Sequence, residues 1–67
     1  MKSNPSEIES VTIHMDEING TETIVRMKSG RTRTYTSRMP EYVKLFVDGK
    51  KPFVTARIGC ETFFEYN

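Results

Sequence analysis

The chain of 67 residues and 7.8 kDa is long enough for one small domain. No apolar stretch exceeds three residues, which argues against a bilayer-spanning helix. The single cysteine, Cys60, excludes an intramolecular disulfide and favours a reducing compartment, so we expect a cytoplasmic protein. The core of so short a chain is small, and oligomerisation is a common remedy for that.

Charge is unevenly distributed along the chain, although the formal net charge is only +1. Residues 1–25 carry a net charge of −4, residues 26–57 carry +7 and residues 58–67 carry −2. A basic middle between two acidic ends is a hint of a partner-binding surface.

The first predicted structural unit is a β-hairpin that follows a polar, flexible N-terminal tail of residues 1–8. Apolar and polar residues alternate on both sides of an Asn-Gly turn signal at residues 19–20. A three-residue loop that ends at Gly20 places Ile13 opposite Val25, whereas a two-residue loop places Ile13 opposite Arg26. Because a slip of one residue turns every side chain to the wrong face, the apolar pattern favours the three-residue loop, with Gly20 in a left-handed conformation.

A third strand is predicted for residues 31–36, after a turn at Ser29-Gly30. A loop of two or four residues places Val25 opposite Thr34 and Arg26 opposite Arg33. In this register one sheet face collects most of the basic side chains, and like charges lie opposite each other at a cost in stability. The predicted partner-binding residues on this basic face, extended by the next arginine, are Arg26, Lys28, Arg31, Arg33, Tyr35 and Arg38.

Residues 38–49 fit two patterns. Their apolar residues recur at helical spacing, with Ser37 suited to the N-cap and Gly49 to the position after the helix. Residues 43, 45 and 47 also alternate as in a strand. The flanking residues favour a short helix, and a strand here remains the alternative.

Two further strands are predicted at residues 53–58 and 61–66, joined at Gly59-Cys60. We expect Cys60 to be a small buried hydrophobic residue. Strand alternation cannot bury both Phe63 and Phe64 on one face, so a second subunit is one way to cover them. The predicted self-association residues on this last strand, which we expect to be an open sheet edge, are Phe63, Phe64 and Tyr66.

The predicted fold class is therefore α+β and mostly β. Residues 9–67 form a single domain with the order β-β-β-α-β-β, as a small antiparallel sheet or open barrel. The alternative is an all-β, six-stranded barrel in which the helix is replaced by a strand.

Residues that could support catalysis are scarce. His14 is the only histidine, the glycines occur one per turn, and no spacing suggests a metal site, so we expect no catalytic residue, metal or cofactor. The predicted function is a small non-catalytic module that binds or inhibits another protein, with the basic face docking on an acidic surface and a homodimer possible. The alternative is a nucleic-acid-binding β-domain that uses the same face, which the pI of about 7.9 and the few aromatic residues disfavour.

Overall fold

A computed structural model describes residues 4–36 and 38–67. Within them the chain forms a short 3-10 turn, five strands and one helix. The elements are the 3-10 turn Pro5–Glu7, β1 Ile8–Asp16, β2 Gly20–Met27, β3 Thr32–Tyr35, α1 Glu41–Val47, β4 Val54–Ile58 and β5 Glu61–Tyr66.

The five strands form one antiparallel sheet in the order β3-β2-β1-β5-β4. Helix α1 packs on one face, which we call the helix side, and the opposite face is the open side. The predicted α+β class and element order are confirmed. The sheet has two edges, β3 and β4, so the alternative of a closed six-stranded barrel is wrong.

The hydrophobic core lies between the sheet and α1. Its five buried apolar residues are Ile8, Val11, Val25, Met27 and Val43. The first four come from β1 and β2, and only Val43 comes from the helix. Burial of this apolar surface is the main favourable contribution to folding, and it fixes which face of the central hairpin α1 covers.

A β-bulge at the start of β1 brings Ile8 into this core. Ile8 lies opposite Met27 whereas Ser10 lies opposite Arg26, so Glu9 is an extra residue that has no cross-strand partner. The extra residue reverses the alternation, and Ile8 therefore shares the helix side with Val11. Pro5–Ile8, which the sequence analysis assigns to the tail, form the 3-10 turn and the start of β1.

The first hairpin has a three-residue loop, as predicted, but the loop begins one residue earlier. It comprises residues 17–19, and Ile13 consequently lies opposite Thr23, not Val25. Asp16 fixes this position, because its carboxylate accepts hydrogen bonds from the Ile18 amide at 2.8 Å and from the Asn19 side chain at 3.0 Å. The predicted pairing is wrong by two residues, an even number that leaves every side chain on its predicted face.

The second hairpin also has a three-residue loop, residues 28–30, whose last residue Gly30 has a φ of +95°. This is the left-handed conformation that such loops need. In the first hairpin Gly20, the first residue of β2, also has a positive φ, of +93°. The predicted loop of two or four residues is wrong. Val25 lies opposite Arg33, so the side chains of β3 occupy the reverse of their predicted faces.

The predicted helix is confirmed, although it is shorter than residues 38–49. It begins at Glu41 after Pro40 and ends at the C-cap Asp48, whose amide donates to the Lys44 carbonyl oxygen at 2.9 Å. The predicted N-cap, Ser37, lies outside the described residues. No helix in the described ranges has the length and apolar character that crossing a bilayer requires.

Candidate functional site

The predicted basic face does not exist as one surface. Arg33 and Tyr35 lie on the helix side, because they pair with Val25 and Thr23, whereas Arg26 lies on the open side. Lys28 is the first residue of the β2–β3 loop, Arg31 directly follows that loop, and Arg38 is exposed in the segment before α1. The predicted like-charge pairs are wrong as well, since Arg26 lies opposite Thr32.

Arg33 is part of a polar cluster that joins the sheet to the helix. The hydroxyl groups of Tyr35 and Tyr42 lie 2.6 Å apart, and the two rings meet edge to face. Hydrogen bonds to Tyr35 and Tyr42 raise the pKa of Arg33 above its ordinary value. Burial, reinforced by the hydrogen bond to Tyr35, raises the pKa of Tyr42. This cluster therefore has a structural role that the sequence analysis did not anticipate.

The aromatic residues of β5 lie inside the sheet. Strand β5 is between β1 and β4, so the expectation that it is a sheet edge is wrong. Phe64 and Tyr66 point to the helix side, and Phe63 points to the open side, where it stacks on His14 with ring centroids 4.4 Å apart. All three are half-buried, so each face of β5 is partly covered within the monomer.

His14 is the centre of a polar cluster on the open side. Its Nε2 lies 2.9 Å from Glu61 Oε1, and its Nδ1 lies 3.8 Å from Glu22 Oε1. A cleft of about 290 Å³ opens beside these groups, near the end of the first hairpin. The stacked Phe63 ring and the two carboxylates together hold the imidazole in one orientation.

Asp16 completes this cluster. The backbone hydrogen bond from Ile18 and the side-chain hydrogen bond from Asn19 lower the pKa of Asp16 below its ordinary value, so this carboxylate is ionised over a wide pH range. Ligand atoms of His14, Asp16 and Glu61 lie within 4.8 Å of one another, and one imidazole with two carboxylates could hold a divalent cation.

Sequence spacing could not reveal the cluster in full. His14 and Asp16 are two residues apart on one strand and share a face, which the alternation does predict. Glu61 joins them only through the register of β1 with β5, in which His14 lies opposite Phe63 and Asp16 opposite Glu61. Cys60 is half-buried in the adjoining turn, not in the core, with its Sγ 3.8 Å from Asp16 Oδ1.

The outer strand β4 is the second candidate site. Val54 and Ile58 lie on its open side and are 40% and 65% exposed, and Phe53 just before it is 56% exposed. Large apolar side chains grouped on a sheet edge are a feature that soluble domains usually avoid.

The backbone groups of β4 that face solvent can be assigned from the ladder. The Glu17 amide donates to the Cys60 carbonyl oxygen at 3.2 Å, so even-numbered residues of β5 direct their backbone groups to β1 and odd-numbered residues direct theirs to β4. Phe63 faces Ala56 across the β4–β5 ladder, so Ala56 bonds to β5. The amide and carbonyl groups of its neighbours Thr55 and Arg57 therefore point away from the sheet.

Comparison with protein-family models, with curated proteins and with solved structures finds no match to this chain. Function has to be inferred from the two sites themselves. In the first site, His14 Nε2 and Glu61 Oε1 are already hydrogen-bonded to each other within the chain. The edge of β4 is the more informative feature. Every second residue of this strand directs its backbone N–H and C=O groups away from the sheet, as hydrogen bonding to an added strand requires.

Proposed function

We propose that this chain is a small non-catalytic protein-interaction module that binds by accepting an additional strand at β4. The observation that carries the proposal is the outward backbone of Thr55 and Arg57 between the exposed side chains of Val54 and Ile58. In this mode of recognition main-chain hydrogen bonds supply affinity, and the alternate side chains supply specificity. Cys60 is a free thiol, which is consistent with a cytoplasmic location.

The basic residues have a different role in this proposal from the one that the sequence suggested. Two of them, Arg31 and Arg33, lie directly before and within the other edge strand, β3, which is only four residues long. Short edge strands and positive charges both discourage strand addition. Strand β4 carries one arginine, Arg57, which is paired with Glu17, so these features favour addition at β4 over addition at β3.

A proline scan of the two edges tests the proposal. Thr55→Pro removes an outward amide of β4 without removing a hydrogen bond of the sheet, because proline is tolerated where an edge amide faces solvent. The matched control is Thr34→Pro on β3. The Met27 amide donates to the Arg31 carbonyl oxygen at 2.8 Å, so the amide of Thr34 also points outward.

The probe is a phage-displayed library of random peptides, selected on sparsely immobilised wild-type protein. We expect the selected peptides to bind the wild type and the Thr34→Pro variant with similar affinity and to bind the Thr55→Pro variant at least tenfold more weakly. Circular dichroism would show that both variants are folded. Selected peptides that bind all three proteins equally would place the interaction surface elsewhere and overturn the proposal.

A further inference from the structure

We infer that the strand accepted by β4 is β4 of a second copy, so that two chains form one continuous ten-stranded sheet. This inference rests on the proposed function and names its partner. A two-fold axis would pass midway between the Ala56 residues of the two copies, and the same surface of each copy would form the interface.

Only one antiparallel register satisfies the backbone. The backbone N–H and C=O groups that point away from one sheet must face those of the other. Thr55 and Arg57 of one copy must therefore pair with Thr55 or Arg57 of the other. Centring the pair on Ala56 places Thr55 opposite Arg57 twice, and the two pairs form four hydrogen bonds. Centring it on Thr55 forms only two hydrogen bonds between outward-facing residues. In that register Arg57 lies opposite Phe53, whose amide already donates to the Glu65 carbonyl oxygen at 2.8 Å. Centring it on Arg57 places two arginines directly opposite each other, which is destabilising.

The side chains fit the register centred on Ala56. On the open side Val54 lies opposite Ile58 of the second copy, and the small Ala56 lies opposite itself at the axis, where strands approach most closely. The exposed apolar groups of one copy thus cover those of the other. On the helix side Arg57 lies opposite Thr55, and within its own chain it lies 3.5 Å from Glu17.

The small core supplies a reason for pairing. Within the described residues only five apolar side chains are buried, whereas Phe53, Val54 and Ile58 remain exposed around β4. Pairing along one strand buries a modest area and is typical of a weak or transient interface. We therefore expect a weak dimer with a Kd of roughly 1–100 µM.

Sedimentation equilibrium at concentrations up to about 300 µM, which exceeds the upper end of that Kd range, tests the inference. The expected result is a mass approaching twice 7.8 kDa for the wild type and for the Thr34→Pro variant, and a Kd at least tenfold higher for the Thr55→Pro variant. A wild-type monomer over the whole range, or dimerisation that Thr55→Pro leaves unchanged, would overturn self-pairing through β4.

A charge-complementation experiment tests the register without altering the backbone. Val54→Lys and Ile58→Glu each change an exposed side chain, and the introduced glutamate gains one like-charged cross-strand neighbour, Glu61, at the surface, so both variants are expected to fold. In a homodimer of either variant, the introduced charge lies opposite an apolar residue at two places, and this weakens the dimer. When the two variants are mixed, the introduced lysine lies opposite the introduced glutamate, and the remaining Ile58 lies opposite Val54. We expect the mixture to associate at least fivefold more tightly than either variant alone, and no gain on mixing would refute this register.

The two proposals can fail separately. If the wild type is monomeric but the selected peptides lose binding to the Thr55→Pro variant, β4 accepts strands from other proteins and only self-pairing is refuted. If the peptides also bind the Thr55→Pro variant normally, the proposed function is refuted as well.

Discussion

Val11 and Val25 face each other across the central hairpin, and neither side chain is exposed to solvent. Val25→Ala would remove two methyl groups from a closely packed site that also contacts α1. We expect a loss of about 2 kcal/mol in the free energy of unfolding, from lost transfer energy plus a residual cavity. Urea denaturation measures this loss.

The control for that experiment is Ile18→Ala, because Ile18 is 80% exposed in the first loop. Its truncation should change stability by less than about 0.5 kcal/mol, as is usual for surface positions. Equal losses for the two variants would show that Val25 is not a central core residue.

Asp16 makes the stability of the first hairpin dependent on pH. Folding lowers its pKa below the ordinary value of 3.8, chiefly through the hydrogen bond from the Ile18 amide. A carboxyl group with a depressed pKa stabilises the fold fully above its unfolded pKa, and this contribution is lost as pH falls through the lower folded value. We therefore expect Asp16→Asn to reduce the loss of stability on acidification below about pH 4.

Thermal melts of the wild type and the variant across this acidic range provide the measurement. Glu17→Gln is the control, since it removes one negative charge from the adjacent residue. If both variants flatten the pH profile to the same extent, net charge and not the hydrogen bonds of Asp16 accounts for the dependence.

At the scale of elements, the sequence predicts the kind and order of the strands better than it predicts how they pair. Alternation along the sequence identifies the strands, and glycine identifies the turns that join them into hairpins. The pairing depends on where a loop begins. In the first hairpin this is set by the hydrogen bond that the Asp16 carboxylate accepts from the Ile18 amide, and in the second by Gly30, which closes a three-residue loop. A difference of one residue in the length of the second loop places every side chain of β3 on the opposite face of the sheet. For this reason the predicted basic face is not present in the structure.

The contact between β3 and α1 is carried largely by Tyr35 and Tyr42. Their hydroxyl groups are 2.6 Å apart, so removing either one leaves the other without this hydrogen bond. We expect a double-mutant cycle of Tyr35→Phe and Tyr42→Phe to give a coupling free energy of about 0.5–1 kcal/mol, measured by urea denaturation. Strictly additive losses would mean that the hydroxyl contact does not stabilise the docking of the helix.

At the scale of the whole molecule, the uneven charge distribution along the sequence is partly neutralised by ion pairs between distant segments of the chain. Arg26 Nε lies 3.3 Å from Glu9 Oε2, and Arg57 lies 3.5 Å from Glu17, so acidic groups from the start of the chain meet basic groups from its middle. These exposed pairs contribute little to stability individually. They do show why a net charge counted along the sequence need not become a charged surface, because the fold brings the oppositely charged segments together.

If two copies share one sheet, the thermal stability of the protein depends on its concentration. A partner that binds only the folded chain stabilises it by mass action, and each tenfold rise in concentration above the Kd adds about 1.4 kcal/mol per dimer. For a chain of this size that corresponds to a rise of about 2–5 °C in melting temperature per tenfold rise in concentration.

We expect this dependence between about 10 and 1000 µM for the wild type and for the Thr34→Pro variant. Circular dichroism measures the melting temperature, with the path length shortened as the concentration rises. The Thr55→Pro variant should show a smaller dependence of melting temperature on concentration, because its Kd is expected to be at least tenfold higher. A wild-type melting temperature that does not move over this range would contradict a dimer of the expected affinity, whatever mass is found by sedimentation.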